Sequence, residues 1–251
     1  MRSAPRQPED YRPPRQSILG HAQLANWQMA LVAVTGLLSV SSIALGTMLA
    51  FIRYRGPFSL LNLTISELGL VGVSPWVGVF NGSLIAGGVC LTAFTLGLGA
   101  LLRGWCGTLL LLVGGITGIA VALVGVFPVD HPLHQVVGPA AFLAGLLSCG
   151  LFTLSLLVGQ HTRLPRRLAL PGLLAGSAIG LYMSMPLLLP DGMNQIFAAP
   201  DAASRPAVWV VAITEWLALW AVLLWVGSVA GYAGYVMLRR TAPTGDGSEK
   251  G

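Results

Sequence analysis

The sequence predicts an all-α integral membrane protein, a bundle of six transmembrane helices with both termini cytoplasmic. Three observations carry this reading. First, the 251 residues are 55% apolar and only 9% charged, with a mean hydropathy of +0.76. Soluble domains carry about a quarter charged residues, so this composition cannot cover a water-facing surface. Second, the apolar residues fall into six runs that can each cross a hydrocarbon core about 30 Å thick, which takes roughly 20 residues at 1.5 Å rise. Third, eleven of the 14 Lys and Arg lie at the chain ends or in the connections holding Arg103 and Arg163, Arg166 and Arg167, against Arg53, Arg55 and Arg205 in the others. Basic residues favour the cytoplasmic side, which orients the bundle.

In chain order, residues 1–24 hold Arg2, Arg6, Arg12, Arg15 and four prolines with no apolar periodicity, and read as a disordered basic cytoplasmic tail. The transmembrane domain occupies residues 25–240, with spans at about 26–52, 76–102, 108–126, 134–158, 168–189 and 208–237. Residues 241–251 form a second cytoplasmic tail. The first span is too long for a cleaved signal peptide and has no small-residue cleavage site, so it is expected to be retained. Trp27 and Trp105 fall near the inner interface and Trp76 and Trp209 near the outer one, the depth amphipathic rings prefer. Glycines recur at four-residue spacing in the third span (Gly114, Gly118), the fifth (Gly172, Gly176, Gly180) and the sixth (Gly227, Gly231). Such stripes let helix backbones approach in lipid, where packing is the associating force. No internal repeat is visible, which removes the best sequence pointer to an inverted-repeat transporter.

The sequence pI near 9.6 would suggest nucleic acid in a soluble domain. Here the basic residues report topology, so the expected partners are membrane lipids and no nucleic acid. The one lysine, Lys250, among many arginines, with abundant Ala, Gly, Leu and Val, points to a high-GC bacterial source and a cytoplasmic membrane. Cys90 and Cys149 lie inside apolar runs and Cys106 beside Trp105, spacing that fits neither a disulfide framework nor a zinc ribbon. They read as small buried hydrophobes.

Most polar residues that need explaining fall on the outer side. The hinge Phe127–His134, FPVDHPLH, separates two apolar runs and carries Asp130, His131 and His134. Pro132 suits the first turn of the fourth helix, with Asp130 or His131 at its cap. His134 then sits in the first helical turn, where the positive end of the dipole disfavours the imidazolium. A neutral imidazole can act as general base or metal ligand. Loop one carries LLNLTISELGLVG, residues 60–72, too short to span and too apolar for an ordinary loop. It reads as an interfacial or re-entrant turn ending at Gly69, the residue expected to take a left-handed conformation. Thr64 and Glu67 have capping-box spacing, and Ser66 is a further candidate. Glu215, about eight residues into the last span, must be neutral, paired or facing a wet cavity. Asn81 lies at a similar depth in the second span.

Ser66, Glu67, His134 and Glu215 are therefore the candidate catalytic set. His131 and His134 with Asp130, or with either glutamate, would supply the three ligands and open position of a catalytic zinc site, so a divalent metal such as zinc is the one cofactor the residues suggest. No known metal motif is matched, and the acids come from separate helices.

NLTISELG in the first outer loop, GVFPVDHPLHQVVGPAAF at the start of the fourth span and TEWLALW in the last resemble the membrane family catalogued as domain of unknown function 998. More distantly they resemble the FRAG/DRAM/Sfk type of six-helix proteins. The resemblance covers about Leu31 to Leu238. It implies six helices and a shared outer-side polar cluster, carried onto Ser66, Glu67, His134 and Glu215, and brings no reaction with it. Asp130 and His131 have no clear place in the family pattern. Alkaline-ceramidase-like hydrolases also use Ser, Asp and His near one leaflet, but their His-x-x-x-His pair differs from the spacing of His131 and His134.

Three functions follow as expectations. The first is a non-catalytic, lipid-associated scaffold or sensor, favoured by short loops, glycine stripes and the lack of a full catalytic motif. The second is an outer-leaflet lipid hydrolase or transferase in which His134, oriented by Glu67 or Glu215, acts as general base on water or Ser66. Transport of a small solute or proton comes third.

Overall fold

The structure, a computed structural model, describes residues 15–54, 58–72, 77–102, 104–158, 164–189 and 205–241, with side chains from Asn26 to Arg240 within them. The described residues are all helix, turn and coil, with no strand. Six long helices follow one another: α1 (Arg15–Arg53), α2 (Val77–Leu101), α3 (Trp105–Val126), α4 (His134–Val158), α5 (Ala169–Leu188) and α6 (Val210–Thr241). Each is long and apolar enough to cross a membrane. Outward residues such as Leu45, Leu112, Leu170 and Leu224 are exposed although apolar. A helix that is apolar on every side is stable only inside a large core or a bilayer, and this is a multi-pass membrane protein.

Residues 15–24, expected as part of a tail, are helical backbone. The last proline of the N-terminal stretch is Pro14, and beyond it nothing breaks a helix. Residues 1–14 and 242–251, and with them most of both expected tails, lie outside the described residues, as does Trp76.

The helices form a ring. Each packs on its sequence neighbour, from α1 on α2 through α5 on α6, and α6 closes on α1. Six crossings return the chain to the side of the bundle on which the first began. α2 and α3 approach closely because glycines line their contact: a Cβ added at Gly88 would overlap the Ala122 backbone, and one at Gly114 would lie 2.6 Å from the Thr95 Cβ. The expected stripe on α3 is therefore a packing seam. The later stripes are looser. Gly172 meets Thr153 and Phe152 of α4, but Gly176 and Gly180 have only ordinary contacts there, and Gly231 has nothing within 4 Å.

Two short polar links add to the packing. Ser39 donates to the Gly87 carbonyl at 2.9 Å, and Thr117 and Ser148 share a buried hydrogen bond of 3.0 Å. Inside the ring, Trp225 of α6 sits between Phe94 of α2 (centroids 6.3 Å apart) and Phe152 of α4 (5.4 Å). This fully buried aromatic group fills one half of the interior. The other half is closed at its end by residues 58–72.

Candidate functional site

Residues 58–72 fold back onto the bundle because their apolar side chains have somewhere to go. Leu63 and Leu68 are fully buried and join Ile65 in a cluster with Ile43, Phe80 and Trp216. The chain turns first at Ser59, whose N–H donates to the Asn62 side chain at 2.8 Å, and then through a single 3-10 turn, Ser66–Gly69. Gly69 is required there by close approach: a Cβ would lie 2.7 Å from the Asn81 side-chain oxygen. The expected left-handed conformation occurs three residues later, at Gly72 with φ 85°. Asn81 is thus part of the wall behind this segment and does not reach the cavity described below.

A re-entrant segment leaves backbone groups without helical partners, and α6 supplies them. The Trp209 N–H donates to the Leu61 carbonyl at 2.7 Å, and the Trp216 indole N–H donates to the Leu63 carbonyl at 2.7 Å. Glu215 completes the set, accepting the Ile65 N–H at 2.9 Å and the Ser66 hydroxyl at 2.7 Å on its two oxygens. The helix begins later than the sequence suggests, so Glu215 lies only five residues past Val210, about 7.5 Å along the axis. At 3% exposure, it is the acceptor that fastens the segment to the helix.

Glu67 fastens the other end. Its Oε2 accepts the Thr64 N–H at 2.9 Å and the Thr64 hydroxyl at 2.8 Å. The carboxylate half of the anticipated capping box is therefore present, while the threonine bonds to the acid and not to a backbone N–H. The remaining capacity goes to Arg205, whose guanidinium donates to both carboxylate oxygens, at 2.5 and 2.9 Å, and to the Asn62 carbonyl at 2.8 Å. The cation also lies 5.1 Å from the Phe58 ring centroid and 5.5 Å from that of Trp209. The Arg205 and Glu67 side chains are nearly buried, at 7% and 8% exposure. Tyr54, just beyond α1, is pushed above the usual phenol range by burial and then by the Glu67 carboxylate, with Arg205 pulling the other way.

The sequence reading counted Arg205 only as a topological charge. Its signal was the spacing to Trp209, four residues on, beside an apolar loop carrying an acid. Pro139 and Pro186 were also passed over. Both lie inside helices, α4 and α5, where proline lacks an N–H and leaves the carbonyl four residues back, at Gln135 and Tyr182, without its helical donor.

His134 stands across from this segment. Its Nδ1 lies 2.8 Å from the Phe127 carbonyl. A carbonyl can only accept, so Nδ1 carries a proton and a neutral ring keeps Nε2 as an acceptor. The metal set read from the sequence does not form. His131 precedes α4, packs on Phe127 at 4.9 Å and accepts the Leu133 N–H on Nδ1 at 3.1 Å. Because α4 starts at His134, the two imidazoles do not share a helix face, and Asp130 is exposed. The His131 bond forms a local turn ahead of the helix, and no group of three His, Cys, Asp or Glu among the described residues could hold a metal ion.

Two cavities, each of about 150 Å³, meet at this place. The first lies among residues 64–67, α4, α5 and the start of α6, and is bordered by Glu67, Gln135, Tyr182 and Trp209. The second is the interior of the ring, lined by apolar residues of all six helices, such as Ile43, Leu84, Val121 and Leu219. Ser66, His134, Gly138, Phe142 and Glu215 border both. Three of the four candidate site residues therefore form one shared wall, and Glu67 borders the polar chamber alone. Ser66 and Glu215 touch, while the hydrogen bond of His134 goes to Phe127.

No curated protein and no solved structure matches the chain. Residues 33–232, which include the whole shared wall, match the family described as Protein of unknown function (DUF998), and the chain belongs to that family.

Proposed function

We propose that this protein holds one membrane lipid without transforming it, as a lipid-associated scaffold or sensor. The observation that carries this reading is the shared wall, which has a polar chamber on one side and an apolar one on the other. An amphiphile needs that arrangement, a few convergent polar groups joined to an apolar slot. The hydrogen bonds favour holding over chemistry: the Ser66 hydroxyl donates to a carboxylate, and both acids are occupied in fastening residues 58–72. The distribution of arginines supports an extracytoplasmic position for the site.

Native mass spectrometry of protein released from mild detergent tests the reading. A bound lipid is expected to survive purification and to be lost in Gly138→Leu, which fills the junction of the two chambers. A Cβ at Gly138 meets nothing closer than His134 Nε2 at 3.7 Å, so there is room to begin the substitution. Lipid-free wild type under conditions that preserve membrane lipids would sink the proposal.

A hydrolase is the second reading, favoured by the 2.7 Å contact between the Ser66 hydroxyl and Glu215 in a cavity that His134 also borders. A fluorophosphonate probe that labels the wild type but not Ser66→Ala would establish it in place of the first.

A further inference from the structure

The chemistry of the wall specifies the lipid more narrowly, and the inference rests on the lipid-binding reading above. Trp209 is 4% exposed and borders the polar chamber, and its indole N–H has no hydrogen-bond partner. A buried donor left unpaired costs free energy comparable to a lost hydrogen bond, so the chamber calls for an acceptor at this point. Among the side chains that border the same chamber, Nε2 of neutral His134 and the Glu215 carboxylate accept, and the Gln135 amide and Tyr182 hydroxyl can do so as well as donate.

We propose that the site takes a neutral single-chain lipid whose head carries hydroxyl groups and at least one acceptor oxygen, a monoacylglycerol-type molecule. The head donates hydroxyls to the acceptors and receives the Trp209 N–H. An anionic head meets the carboxylates of Glu67 and Glu215, and the Arg205 guanidinium, bonded to Glu67, is not among the groups that line the chamber. A charged head must also leave water for the chamber, which is costly without a paired countercharge, and the Glu67 carboxylate is already paired with Arg205. The chain enters the ring interior. From Glu215 to Leu223, the stretch of α6 that lines it, is eight residues, about 12 Å, and the open cavity of about 150 Å³ has room for part of one chain and none for a second.

The test is a competition read by native mass spectrometry on the full chain in detergent. The probes are 1-monooleoylglycerol, 1-oleoyl lysophosphatidic acid, oleylamine and dioleoylphosphatidylcholine. Saturable binding of monooleoylglycerol, at least about tenfold tighter than the other three, is expected. Trp209→Phe should weaken it about fivefold, the size of one net hydrogen bond, with little change in the weak binding of the others. Preference for a charged or two-chain probe overturns this inference and leaves the lipid-binding reading standing. Binding of none of the four overturns both. The wild-type ranking decides the matter even where Trp209→Phe folds poorly.

Discussion

Arg205 and Glu215 do different work at the same place. The Arg205–Glu67 pair is nearly buried, so removing one partner strands the other. Arg205→Ala is expected to cost about 3–5 kcal/mol, read as a lowered unfolding temperature in detergent, and adding Glu67→Gln should restore part of it. Equal losses in the single and double variants would show that the pair is not coupled. Glu215 holds two donors, the Ile65 N–H and the Ser66 hydroxyl. Glu215→Leu should therefore cost about 1–3 kcal/mol by orphaning the Ile65 N–H, and Glu215→Gln, which keeps an oxygen there, clearly less. The identity of Glu215 as a costly residue was legible in the sequence, because a carboxylate in an apolar run always requires a partner. Its partners were not legible, since they come from residues 149 and 150 positions away. The paired histidines of the hinge show the reverse. Their spacing suggested shared ligation, but the helix begins one turn too late for them to face together, so His131 closes a local turn and His134 becomes part of the cavity wall.

Among the elements, α2 and α3 are held together by a glycine seam. Gly88→Leu places a side chain into the backbone of Ala122, and overpacking of this kind costs at least about 1–3 kcal/mol. It should reduce the yield of folded protein sharply. Gly231→Ala, with nothing within 4 Å, is expected to raise the unfolding temperature, since alanine is better than glycine in a helix by about 0.5–1 kcal/mol. A similar loss from both substitutions would contradict the seam. The glycine pattern alone treated the stripes of α3, α5 and α6 as equivalent. Repeat spacing reports that a face is small, and the neighbouring helix decides whether that face is filled closely.

The whole molecule is a ring of six helices stoppered at one end by residues 58–72 and filled toward the other by Trp225. An even number of spans puts the start of α1 and the end of α6 at the same end of the bundle, so reporters fused to the two termini are expected to give the same compartment signal, and by the arginine distribution a cytoplasmic one. Opposite signals would mean that one helix does not cross. Composition and run length determined the number of crossings by themselves, because a bilayer imposes one length on every span. They also placed the polar residues in the loops of one face. The tertiary structure alone decided that the first loop turns inward, that Arg205 and Trp209 belong with Glu67, and that an apolar chamber lies beneath them. Those features depend on which helices close the ring, and nearly uniform apolar helices carry no pattern that names their neighbours.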